Sequence, residues 1–194
     1  MSFDIREHEA ETPAAPGELE LVQRFMNLHE HIPGETRPLP PPREMLGSFL
    51  RERGLLRERD RFGEADRATA LELIDALHAS VRANAGEPVP AARVAVIDEV
   101  ARRAGLRPRF GDPPALVPTA TGVAGALGRI VAVAFLAELD GSWRHLKECA
   151  NTDCRSVFFD RSKNHSGRWC SMAECGNRAK VRAWRERQRA DDRS

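Results

Sequence analysis

All four cysteines of this 194-residue chain fall within 27 consecutive residues, as two pairs: C-A-N-T-D-C (Cys149, Cys154) and C-S-M-A-E-C (Cys170, Cys175). Each pair can turn both sulfurs to one point, and the fifteen residues between the pairs are enough for a hairpin. Four converging thiolates suit one closed, tetrahedral, structural Zn²⁺ site. Two disulfides, or four thiols that merely cluster, would use the same residues. Disulfides need an oxidising compartment, however, and the opening M-S-F-D-I-R-E is polar and acidic, without the apolar run of a signal peptide. Reduced, metal-binding thiols in the cytoplasm are the expectation.

The residues around the cysteines suggest how the site is built. Val157, Phe158 and Phe159 read as a short strand, residues 160–167 as a polar turn, and Arg168-Trp169 as the returning strand that delivers Cys170. Ser171 and Glu174 have capping-box spacing, so a helix is predicted to begin near Met172 with Cys170 and Cys175 at its positive end. Knuckle, hairpin and helix together make a small treble-clef-like finger with four cysteine ligands. Further along, Arg178, Arg182, Arg185 and Arg189 share one helical stripe, while Val181 and Trp184 lie on another face and are expected to pack onto the hairpin.

Between residues 155 and 189 there are ten Arg or Lys against three acids, a net of +7. A tetrathiolate zinc centre, formally about −2, balances part of this. The surplus reads as a face for nucleic-acid phosphates, with Arg161, Lys163 and Arg168 of the hairpin adding contacts to the arginine stripe. A solvated helical face would carry the same charge, and so would a surface that docks an acidic protein.

Two stretches, C-A-N-T-D-C-R-S-V-F-F-D-R-S and R-W-C-S-M-A-E-C-G-N-R-A-K, resemble the CGNR zinc finger, over about residues 145–190. The resemblance implies zinc held by Cys149, Cys154, Cys170 and Cys175, and a DNA-binding role. In that family the finger follows an all-helical region, the ABATE domain, and the proteins are regarded as stress-responsive transcription regulators. Residues 18–140 resemble that domain in helix order and in their position before the finger.

The rest of the chain fits a mainly α protein: a flexible lead-in (1–17), an all-helical domain (18–140) and the finger (145–190). Residues 1–144 carry 18 basic and 22 acidic side chains, against 12 and 7 in residues 145–194, so a mildly acidic body precedes a basic end. Leu19, Val22, Phe25, Met26 and His29 predict a first helix that stops at Ile32-Pro33-Gly34; His29 and His31 are read as surface or partly satisfied groups rather than a metal pair. Met45, Leu46, Phe49 and Leu50 predict a short helix. A longer one runs from a cap at Asp66 to about Asn84, with Leu71, Ile74, Leu77, His78 and Val81 on its core face.

Residues 94–104 are another helix. Their likeness to the first half of a helix-turn-helix is set aside because Pro108 and Gly111-Asp112-Pro113-Pro114 break the chain where a recognition helix would start. Phe110 and Leu116-Val117 are candidate strands or extended packing segments. Residues 121–139 are the most apolar, but they contain Arg129 and read as a core helix rather than a membrane span. Ser142 is expected to cap a short helix over 143–148.

The function expected is zinc-dependent DNA binding by a transcription regulator. Its body would sense a signal or form a homodimer, and no membrane is involved. The alternative is a zinc-stabilised protein-interaction module. Catalysis is not expected: every cysteine is a ligand, and Asn164-His165 has no second histidine or carboxylate pair placed beside it.

Overall fold

A computed structural model describes residues 12–29 and 39–191. Among them, six α-helices and two antiparallel strand pairs follow in the order α1 (Leu19–Met26), α2 (Arg43–Glu52), α3 (Glu64–Ala83), α4 (Ala91–Ala104), β1 (Leu106–Arg109), β2 (Ala115–Pro118), α5 (Gly122–Asp140), β3 (Leu146–Glu148), β4 (Val157–Phe159) and α6 (Asn177–Asp191). His31 and the expected stop at Ile32-Pro33-Gly34 lie outside the described residues.

The 3.6-residue spacing of apolar side chains places the body helices correctly. Leu19, Val22, Phe25 and Met26 are buried on α1; Leu46, Phe49 and Leu50 are buried on α2. Helix α3 is buried over a broad face, with Ala70, Leu73, Ala76 and Ala79 joining Ile74, Leu77 and Val81, while Glu64, Ala68, Glu72 and Asp75 keep one stripe exposed. Its cap differs from expectation. Gly63 is the N-cap, and Asp66 acts from the third helical position, its carboxylate accepting the Gly63 N–H at 2.8 Å.

Helix α5 is long and apolar enough to cross a membrane, yet ten of its residues are buried in the core, Leu127, Ile130 and Val131 among them. A Cβ on Gly128 would stand 2.1 Å from the Ala104 Cβ, so α4 and α5 meet nearly backbone to backbone. After α4 the chain forms the β1–β2 hairpin, which occupies the place a recognition helix would need. Leu116 and Val117 lie in β2 as expected. Phe110 does not pack: it follows β1 and is 94% exposed.

Two expectations near the finger are corrected. Residues 143–148 are not a helix. A single 3-10 turn (Trp143–His145) leads into β3, and Ser142 provides no side-chain cap. Arg168-Trp169 is not a strand either. The partner of β4 is β3, in the register Leu146↔Phe159, Lys147↔Phe158 and Glu148↔Val157. The reason lies in burial. Leu146 and Val157 are fully buried in the same core as the body helices, with Trp143, so this strand pair is held by the body on one face.

Helix α1 ends where the Asn27 side chain clasps β4. Its amide donates to the Val157 carbonyl at 2.8 Å and its oxygen accepts the Val157 N–H at 2.7 Å, while Gln23 donates to the same carbonyl at 3.0 Å. Residues 12–17 are not a free lead-in. Pro13 accepts the Phe159 N–H at 3.1 Å, completing the outer edge of β4, and Ala15 is buried in the core. Asn27→Ala leaves the Val157 N–H without this acceptor. A loss of about 1–3 kcal/mol in denaturant unfolding is expected, with the amide exchange of β4 accelerated.

Candidate metal centre and basic helix

The four thiols come from three local devices. Cys149 directly follows β3 and is anchored by its N–H on the Ser156 carbonyl at 2.9 Å. Asn151 turns the knuckle between the first pair: its carbonyl accepts the N–H groups of Cys154 (2.8 Å) and Arg155 (3.2 Å). The second pair is set by a wide π-type turn over Met172–Gly176, closed by the Gly176 N–H on the Ser171 carbonyl at 3.0 Å, with the Ser171 hydroxyl accepting from Glu174 N at 3.3 Å. The helix signal and the Ser171 cap are therefore both present, but the first turn is π rather than α. A Cβ on Gly176 would stand 2.9 Å from the Met172 sulfur, so that exposed, flexible side chain would have to shift to admit one.

The four Sγ atoms lie within 4.8 Å of one another, with Cys154–Cys170 at 3.5 Å and Cys170–Cys175 at 3.7 Å. A tetrahedral ion with Zn–S near 2.3 Å sets its sulfurs about 3.8 Å apart, so the donor set fits one zinc ion. Cys149, Cys170 and Cys175 are buried and Cys154 is half-buried; Phe158 and Trp169 pack around them as a small second core.

The electrostatics point the same way. Contact with Cys154 pushes the Cys149 thiol up, but hydrogen bonds from Cys170 and Cys175 outweigh it and bring the group down to about 7. Cys170 and Cys175 are pushed well up, first of all by their contact with Cys149. Thiols packed this closely resist charging together, and a divalent cation removes that resistance. Asn151, buried and donating toward the Cys175 sulfur at 3.6 Å, also belongs to the site. Spacing arguments built on the cysteines pass over it, although an asparagine inside a tight inter-cysteine turn is itself a signal.

Below the centre, Glu148 joins β3 to the body. Its carboxylate meets His78 Nδ1 at 2.9 Å and Arg82 at 3.1 Å, while His78 Nε2 faces the Met26 carbonyl at 3.1 Å. His78 is a core histidine, as expected. Burial pushes the Glu148 carboxyl up, but His78, with Arg155 and Arg82, overcomes this and holds it below the ordinary carboxylate range.

The polar turn between β4 and Cys170 is wound around Asp160. This buried carboxylate accepts Lys147 Nζ at 2.7 Å, Ser162 N at 3.0 Å and Gly167 N at 2.8 Å. Burial opposes its charge, yet those donors hold it far below the usual range. At the lip of the turn His165, in the left-handed region at φ 47°, places Nδ1 3.2 Å from Nδ1 of His145. The expectation that no second histidine stands beside His165 is therefore corrected; the β3–β4 pairing brings His145 there.

The basic side chains are distributed unevenly. Arg178, Arg182, Arg185 and Arg189 are exposed on α6, and Arg182 meets Asp153 of the knuckle at 3.5 Å. Arg161 is tied back, donating to the Ala14 carbonyl at 2.8 Å and covering Phe159. Arg168 lies over Trp169 at 5.3 Å, and Lys163 is exposed on the turn. Val181 and Trp184 do not pack onto the hairpin: they are 40% and 56% exposed. The hairpin has no apolar face left for them, because Leu146 and Val157 face the body core and Phe158 faces the thiols.

Residues 145–188 match the family model of the CGNR zinc finger. The match spans the 3-10 turn's last residue, both strands, all four cysteines and most of α6. No curated protein matches the chain.

Proposed function

We propose that this protein is a zinc-dependent, DNA-binding transcription regulator, in which the ion shapes a treble-clef-like finger and α6 carries the contact surface. The observation behind this reading is the exposed arginine stripe of α6 directly after the metal-binding turn. Zinc has no reacting role here, since the four thiols fill its coordination sphere; it supplies shape. Arg178, Arg185 and Arg189 would meet phosphates, Lys163 and Arg168 would extend the track along the turn, and Arg182 would exchange Asp153 for the nucleic acid. The helical body, read as ABATE-like, would sense a signal or pair with a second copy. A cytoplasmic setting suits thiols that must stay reduced.

Fluorescence anisotropy with the zinc-loaded chain and random duplex DNA, at two salt concentrations, tests the proposal. Binding that weakens steeply with salt is expected. Arg185→Glu with Arg189→Glu should cost at least about tenfold and flatten the salt slope by about 2, because each phosphate contact contributes about 0.9. No binding to any duplex at low salt would remove the DNA reading. A protein partner is the second reading, favoured by the exposed Met172, Val181 and Trp184 around the basic stripe. It predicts a stable complex with an acidic protein in place of DNA.

A further inference from the structure

We propose that His145 and His165 form a second metal site, exposed and distinct from the thiol cluster, for a divalent first-row transition ion of the zinc or nickel type. Two imidazole nitrogens on one ion at about 2.0–2.1 Å stand about 2.9 Å apart at a right angle and about 3.4 Å apart at the tetrahedral angle. The two Nδ1 atoms here are 3.2 Å apart, inside that interval. Without an ion, the contact is a hydrogen bond when one of the two nitrogens carries the proton. With an ion, both lone pairs turn to the same point. Imidazole is the donor class suited to such ions.

The surroundings hold the pair in place before any ion arrives. His145 closes the 3-10 turn, its carbonyl accepts Asp160 N at 2.8 Å, and its ring leans on Phe159 with centroids 5.4 Å apart. His165 is held from its backbone: its N–H donates to the Ser162 carbonyl at 3.1 Å and its carbonyl accepts Lys147 Nζ. Two cations stand near the pair, Arg144 and Lys147; the repulsion from Lys147 is offset by its pairing with the buried Asp160 carboxylate at 2.7 Å. A left-handed backbone at a non-glycine residue is uncommon, and here it is what aims the His165 ring at His145. The site offers two protein ligands and faces solvent, so its other positions take water or a donor from a partner. Its affinity is correspondingly lower than that of the thiol centre.

The test uses the full, zinc-loaded chain titrated with Ni²⁺ while histidine ring protons are followed by NMR. Of the six histidines, His145 and His165 should broaden first and together, with uptake of one Ni²⁺ per chain in equilibrium dialysis. His165→Asn removes the imidazole and keeps a residue at ease in the left-handed region; it should weaken uptake at least about tenfold and leave the zinc content unchanged. His145→Asn should do the same. Should Ni²⁺ first broaden other histidines, or bind the His165→Asn chain as well as the parent, the proposal is wrong. No uptake beyond the thiol centre would also sink it. None of these readouts involves nucleic acid, so failure here and failure of DNA binding are separable.

Discussion

Cys170→Ser is expected to abolish the ordered finger while most of the helical body stays folded. Cys170 is buried at the centre of the cluster, with neighbouring sulfurs at 3.5 and 3.7 Å, so a hydroxyl there removes one of four ligands and leaves three thiols that repel a second charge. The small core around the site consists of Phe158, Trp169 and the cysteines themselves. That is too little apolar surface to hold the knuckle and the π-turn without the ion, whose binding in comparable small sites is worth about 10–16 kcal/mol. Metal content should fall from one zinc per chain toward none. In a two-dimensional NMR spectrum the resonances of residues 149–155 and 168–188 should collapse toward random-coil positions. Strong chelation of the parent chain should give the same spectrum. Because β3 and β4 are tied into the body through Leu146, Val157 and the Asn27 clasp, their amides should remain protected longer than those of the knuckle and the π-turn. A finger spectrum unchanged in chelator would refute the metal's organising role.

Trp143→Ala should be the most damaging single change outside the metal centre. Trp143 is 1% exposed, the largest fully buried side chain among the described residues, and it lies where the body core passes into β3; its carbonyl also accepts from Asn84 at 2.9 Å. Removing an indole from such a place costs about 3–5 kcal/mol, measurable as a shift of the denaturant midpoint at constant slope. The indole N–H has no hydrogen-bond partner among the described residues. Trp143→Phe, which deletes that donor and keeps a ring, should therefore cost only about 1–2 kcal/mol, clearly less than the alanine loss. Equal losses for the two variants would mean that the indole nitrogen is satisfied after all.

Much of this is legible in the residues. Apolar side chains at helical spacing place α1, α2, α3 and α5, because burial of one helix face is decided locally by sequence order. The ligand set is legible for a different reason: four cysteines paired within 27 residues leave little choice of partner. The strand pairing is not. Val157, Phe158 and Phe159 announce a strand, but local propensity ranks the nearby Arg168-Trp169 and the preceding Leu146–Glu148 segment no differently as partners. The body decides between them by burying Leu146 and Val157 together.

By itself, then, the order of residues determined the helices of the body, the four thiols that meet and the basic stripe on α6. Each depends on periodicity or spacing over a few turns of chain. Only the tertiary structure decided which strand completes the finger, that Trp184 and Val181 stay in solvent, and that His145 comes to face His165 across twenty residues. Those outcomes depend on which apolar face is already occupied by distant parts of the chain, and no local pattern carries that competition.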